Sequence, residues 1–154
     1  MYKNVKQGWY RLLNPDKFIK PIDELMKSYK DGHVNYKSSL ELKAVRYCDW
    51  NNSITKWSLE PFPIRYLKPS TGRFHRYYID LVIEFSSGEK FLVEIKPYNQ
   101  SVAPRKPTRN TQKAKLRYAR EMETYLINTA KWDAAKIFAK ENGFKFIILT
   151  EKEL

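Results

Sequence analysis

The chain has 154 residues, 42% apolar and 15% aromatic, with 29 Lys and Arg against 17 Asp and Glu for a net charge of +12. That length and apolar content support one packed domain and exclude wholesale disorder, while the charge calls for a polyanionic partner, nucleic acid first and an anionic membrane surface second. A lone cysteine, Cys48, excludes an intrachain disulfide and a cysteine zinc site; no apolar run reaches the roughly 18 residues that span a bilayer, and no signal-peptide core opens the chain, so a soluble intracellular protein is expected.

Residues 1–36 are polar and aromatic, with prolines at 15 and 21. They read as an extended N-terminal arm carrying a short helix over 21–30, where Pro21 suits a first turn. Ser38-Ser39-Leu40-Glu41 has the form of a capping box. It predicts a helix over 38–49 that turns Leu40, Ala44, Val45 and Cys48 inward, and Asn51-Asn52-Ser53 ends it. Strands are expected over 54–59 and 64–67, separated by Pro61-Phe62-Pro63, with a turn at Pro69-Ser70-Thr71-Gly72. Two apolar runs follow, 78–85 and 90–96, and Ser86-Ser87-Gly88 between them signals a hairpin. Residues 97–110 are a proline-rich loop. Two helices are expected over 111–127 and 128–142; in the second, Trp132, Ala135, Phe138 and Ala139 recur at helical spacing, and Asn142-Gly143 suits a C-cap. A final strand over 144–150 lies parallel to the 90–96 strand, because a helical crossover separates them. The fold class is therefore α/β, a mixed sheet flanked by helices.

The chemistry-bearing pattern is Asp80 with Glu94-Ile95-Lys96. Glu94 and Lys96 are two apart on a strand and share a face, together with Leu92; Tyr78 and Val82 share a face with Asp80. Charges on partly apolar faces are costly when unpaired, which favours a metal or an ion-pair network over solvated strand ends. A hard cation such as Mg²⁺ takes oxygen ligands, here the carboxylates of Asp80 and Glu94 and the carbonyl of Ile95. Lys96 would stand beside a phosphate as a fixed positive charge. Glu41 lies on one helical stripe with Val45 and Cys48, so it reads either as a third acid of this cluster or as a capping-box residue alone. Glu60 and Glu84 read as structural.

Between Pro97 and Arg120 there is no acid, but there are Arg105, Lys106, Arg109, Lys113, Lys115, Arg117 and Arg120. Arg73, His75 and Arg76 lead into the Asp80 run. Such a stretch is either a solvated helix face or a track for a DNA backbone with little sequence preference.

The pattern Glu41, Asp80, Glu94-Ile95-Lys96 resembles the PD-(D/E)xK nuclease superfamily and its restriction-endonuclease-like core. Tyr36-Lys37-Ser38-Ser39-Leu40-Glu41-Leu42-Lys43, Trp57-Ser58-Leu59-Glu60-Pro61, His75-Arg76-Tyr77-Tyr78-Ile79-Asp80 and Val93-Glu94-Ile95-Lys96-Pro97 look like the phage branch related to the TnsA endonuclease. Pro104-Arg105-Lys106-Pro107, the run 128–135 with Ala130-Lys131-Trp132, and residues 146–151 resemble the head completion nucleases of T-even tailed phages. The resemblance covers roughly residues 35–154 and divides the chain into an arm, 1–36, and a nuclease domain, 37–154, of αβββαβ order. It implies an endonuclease or exonuclease dependent on Mg²⁺ or Mn²⁺, with Asp80, Glu94 and the helix-borne Glu41 at the metal and Lys96 as the catalytic lysine. It further implies processing of packaged DNA so that a filled head can join a tail, alongside head or neck (portal or connector) proteins, in the virion or the cytoplasm of the infected bacterial host, with no membrane partner. Ile79 stands where the superfamily pattern has proline. Two other readings stay open: a structural neck or DNA-binding adaptor with a nuclease-derived fold, and a TnsA-like or restriction-like endonuclease outside a phage.

Overall fold

Ser38 sets the first helix. In the computed structural model, which describes residues 7–21 and 27–154, its hydroxyl accepts the Glu41 N–H at 3.1 Å, and α1 runs Ser39–Trp50. The Glu41 carboxylate accepts the Lys37 N–H at 3.3 Å, one residue ahead of the partner a regular capping box uses. The helix buries Leu40, Ala44, Val45 and Cys48 as its spacing predicts, and Asp49 as well.

Within the segment expected as an arm, the described residues carry a small antiparallel sheet. Its strands β1 (Gly8–Arg11), β2 (Tyr29–Lys30) and β3 (His33–Tyr36) lie in the order β1-β3-β2. Asp31 and Gly32 make the turn between Lys30 and His33, with φ of 48° and 78°; two successive left-handed residues are the two-residue hairpin signature. Half of the helix expected over 21–30, residues 22–26, lies outside the described residues, and its last two positions are strand. Leu12, Phe18 and Val34 from this segment join the core beneath α1. The buried Asp49 carboxylate ties it down, accepting from the Tyr10 hydroxyl at 2.7 Å and from the N–H groups of Leu13 and Asn14 at 2.9 and 3.0 Å.

After α1 come β4 (Ile54–Leu59), the hairpin β5 (Pro63–Lys68) and β6 (Arg73–Tyr78), then β7 (Leu81–Phe85) and β8 (Lys90–Ile95). A short α2 (Tyr98–Ser101) precedes the long α3 (Gln112–Asn142), and β9 (Lys145–Leu149) closes the chain. The central sheet has the order β4-β7-β8-β9; β8 and β9 pair in parallel, as the crossover predicts, and the other pairs are antiparallel. Ile54 and Trp57 both face the core although they are three positions apart. An irregularity in the β4–β7 register between Ile54 and Lys56 absorbs the extra residue and leaves Thr55 and Lys56 exposed.

The two helices expected over 111–127 and 128–142 are one helix of 31 residues. No glycine or proline interrupts it, and the polar pair at 128–129 is tolerated: Asn128 is buried, and the Thr129 hydroxyl bonds back to the Tyr125 carbonyl at 2.8 Å. Helices thus cover both faces of the sheet. One face packs Ala44, Val45 and Cys48 against Trp57, Leu81, Ile83 and Val93. The other packs Ala135 and Ala139 of α3 with Ile64, Tyr66, Tyr77, Ile79 and Leu92. No helix among the described residues is long and apolar enough to cross a membrane.

Gly143 ends α3 in the left-handed region at φ 75°, its N–H on the Ala139 carbonyl. A β-carbon there meets no atom within 4 Å, so Gly143→Ala isolates the backbone cost. We expect a loss of about 1 kcal/mol, read as a lower urea midpoint at unchanged slope.

Candidate active site

Ile79 is buried in the α3-side core and Leu81 in the α1-side core. Residues two apart on a regular strand share a face, so the chain must twist at Asp80 to serve both cores. For this reason the single strand expected over 78–85 is two strands in two sheets: β6 pairs with β5, while β7 pairs with β4 and β8. Asp80 occupies the step between them.

The β7–β8 ladder ends at Leu81 and Val93. Beyond it, the Ile95 N–H donates to Asp80 Oδ2 at 2.8 Å, so the carboxylate takes over a ladder bond. The Asp80 carbonyl in turn accepts the Glu60 N–H at 3.0 Å. Glu94 is only 5% exposed. The Tyr77 hydroxyl donates to its Oε2, and Lys96 Nζ stands 3.7 Å from its Oε1. Glu94 and Lys96 therefore share a face, as alternation predicts. Asp80 reaches them by the twist rather than by alternation: its expected face partner Tyr78 is exposed, and Tyr77 is the tyrosine turned inward.

Burial raises the Asp80 carboxyl well above the usual carboxylate range, and the Glu94 charge raises it further; the Ile95 N–H and Lys96 oppose them. Burial likewise pushes the Tyr77 phenol up, helped by Glu94. A second cation comes from α3. Lys131 Nζ lies 5.6 and 5.7 Å from the ring centroids of Tyr66 and Tyr77. Its ammonium is held below its ordinary value by burial and then by Lys96, with Glu94 and Asp80 pulling the other way. Sequence reasoning assigned no role to Tyr77 or Lys131. The one available signal was a basic residue set directly before the buried Trp132.

Glu41 stands apart. Its carboxylate faces the start of its own helix, and burial raises its pKa while the Lys37 N–H and ammonium lower it. Its charge adds to the shift on Asp80, after that of Glu94. Among the described residues, no three Asp, Glu, His or Cys side chains lie close enough to hold one ion. The expected convergence of Glu41, Asp80 and Glu94 is thus a pair with an outlying third acid. Glu60, in the left-handed region at φ 43°, pairs with Lys37 Nζ at 2.7 Å.

All seven basic residues between Arg105 and Arg120 are exposed. Arg105, Arg117 and Arg120 line one groove of about 840 Å³ between the proline-rich loop and the first half of α3. Lys106, Arg109, Lys113 and Lys115 lie outside it. On β6, Arg73 and Arg76 point outward, and Arg76 pairs across the hairpin with Arg65. His75 turns instead to the Thr71 hydroxyl, 3.2 Å away, and to the Tyr66 ring.

Residues 51–151 match the family described as TnsA-like endonuclease N terminal. The chain belongs to the TnsA-like endonuclease family. It is also similar to the Head completion nuclease of Enterobacteria phage T4, with 38% identity over 121 residues, 79% of this chain and 81% of that protein. The TnsA-like stretch contains Asp80, Glu94, Lys96, Tyr77 and Lys131, while Glu41 precedes it. A mixed sheet between helices, with the acids at the end of its central strands, is consistent with a restriction-endonuclease-like fold in this TnsA-like chain.

Proposed function

We propose that this chain is a metal-dependent DNA nuclease of phage head completion, hydrolysing phosphodiesters of packaged DNA before head and tail join. The observation that carries it is the enclosed Asp80–Glu94 pair with Lys96 3.7 Å from Glu94, in a TnsA-like chain similar to a protein named for that task. Two neighbouring carboxylates, one of them buried beside the other's charge, form an oxygen donor set with excess negative charge, which suits a hard dication. Asp80, Glu94 and the Ile95 carbonyl would hold Mg²⁺ or Mn²⁺, with Glu41 as the outlying acid. Bound there, the ion supplies Lewis acidity toward the phosphate and lowers the pKa of a water.

The chain's own residues do the rest. The Ile95 N–H fixes Asp80, and the Tyr77 hydroxyl fixes one oxygen of Glu94, leaving the other toward Lys96. Lys96 places positive charge where charge develops on the phosphate oxygens, and Lys131 adds a second cation behind it. The exposed basic residues of the loop, α3 and β6 hold the DNA backbone without reading bases. Head and neck proteins, portal or connector, are the proposed partners, in the virion or the host cytoplasm.

Linear and circular DNA, incubated with the protein alone and with capsid or neck partners, test this reading. Cutting should require Mg²⁺ or Mn²⁺ and stop on chelation. A chain that cuts neither substrate in either metal is not a nuclease, and infectious particles assembled on Asp80→Asn would support the adaptor instead. Removing Arg105 and Arg117 together should weaken DNA binding equally for unrelated sequences. It should also flatten the plot of log affinity against log salt by about two units, measured by fluorescence anisotropy.

A further inference from the structure

A second concavity lies between the N-terminal sheet and the start of α1, a cavity of about 360 Å³ lined by Trp9, Ser28, Asn35, Lys37, Glu41 and Glu60 among others. Its size is that of a small-molecule site. Trp9 and Asn35 are register partners on β1 and β3 and project from one face of the small sheet. The Trp9 indole is 48% exposed, a large apolar surface left open at the cavity. Ser28 is the opposite case: it is 9% exposed, and its hydroxyl is buried with no hydrogen-bond partner among the described residues. A buried hydroxyl without a partner is costly unless a ligand completes it.

The charge on the walls narrows the ligand. Lys27 and Lys37 stand against Glu41 and Glu60, and Lys37 is already committed to Glu60 at 2.7 Å. Among the described lining residues the charges balance, so a phosphate finds no excess positive charge there. A flat, uncharged ring with donors and acceptors on its edge gains a stacking face from Trp9 and edge partners from Asn35 and Ser28. Glu60 belongs to this wall, and its N–H bonds the Asp80 carbonyl at 3.0 Å, so the occupant lies beside the site of cleavage.

We infer that this cavity receives one unpaired base of the substrate strand, stacked on Trp9 and adjoining the phosphate to be cut. The inference rests on the DNA-nuclease reading and deepens it: the substrate is a strand with a frayed, protruding or extruded nucleotide. An extruded base held between an aromatic face and polar edge partners is an established mode of reading.

The test uses the full chain in chelator, so that no cutting occurs, titrated with a fluorescently labelled oligothymidylate. Wild type should bind with quenching of its tryptophan emission. Trp9→Ala should lose that quench and bind about tenfold more weakly, the usual scale for one stacked base. Trp9→Phe, which keeps an aromatic face, should hold near wild-type affinity while losing the quench, and thereby separates stacking from misfolding. Trp50→Ala, which removes the other exposed indole, should change neither affinity nor the binding-induced quench. A quench that survives Trp9→Ala, or a Trp9→Phe chain that melts normally yet binds as weakly as Trp9→Ala, overturns the inference. The nuclease reading fails separately, through wild-type protein that cuts neither linear nor circular DNA in Mg²⁺ or Mn²⁺.

Discussion

Lys96→Ala is expected to slow DNA cleavage by about 10²- to 10³-fold, the scale of losing one fixed donor aimed at developing charge. The side chain is 28% exposed and lies 3.7 Å from Glu94, so its charge acts where water screens it poorly. Its backbone N–H already bonds the Leu149 carbonyl at 3.1 Å, and alanine keeps that bond. The variant should therefore melt like wild type while its single-turnover rate collapses at saturating Mg²⁺. Lys96→Arg should recover only part of the rate, because a planar fork does not reproduce a point charge. Wild-type cleavage by Lys96→Ala would remove Lys96 from the chemistry.

Asp49→Ala should cost about 3–5 kcal/mol of stability, the penalty of leaving several buried donors unsatisfied at once. Asp49 has no exposed surface and satisfies the Tyr10 hydroxyl and two backbone N–H groups at once. Alanine leaves three donors without an acceptor and unfastens the N-terminal sheet from α1. Urea denaturation would show it, and a loss under about 1 kcal/mol would contradict the argument. The same contact has a signature in alkali. Burial, and then the bond to Asp49, push the Tyr10 phenol from 10.0 up to about 12. The folded chain thus holds this proton more tightly than the unfolded one. Its stabilising contribution is complete below pH 10 and fades as pH climbs toward 12; Asp49→Ala should shrink that alkaline loss.

The features legible in the sequence were those decided locally. The Ser38 cap, the 54–59 strand, the hairpin at Ser86-Ser87-Gly88 and the Gly143 stop each follow from a few adjacent residues. So does the shared face of Glu94 and Lys96. The break at Asp80 was not legible, because it arises from two separate cores claiming Ile79 and Leu81. The small N-terminal sheet had a local signal in Asp31-Gly32, but its strands are short and its anchor, Asp49, lies beyond them in the chain. Tyr77 reaches Glu94, and Lys131 the Tyr77 ring, from different elements, which only the packing of α3 over the sheet brings together. The turn of Glu41 toward Lys37 was likewise invisible in a spacing that fits both a cap and a ligand.

One consequence follows from the length of α3. In α3 no residue before Asn128 is buried, and Ile127 is the first to pack partly on the core, so the stretch from Gln112 to Leu126, about 22 Å at roughly 1.5 Å per residue, takes most of its rigidity from the docked half. A lone helical piece of that length is marginal in water. Solidity must therefore decline smoothly toward Thr111, with amide protons at that end trading with solvent soonest. The arginines and lysines there ride on a compliant tip, able to bend along a curved polyanion while the carboxylates stay clamped at the root.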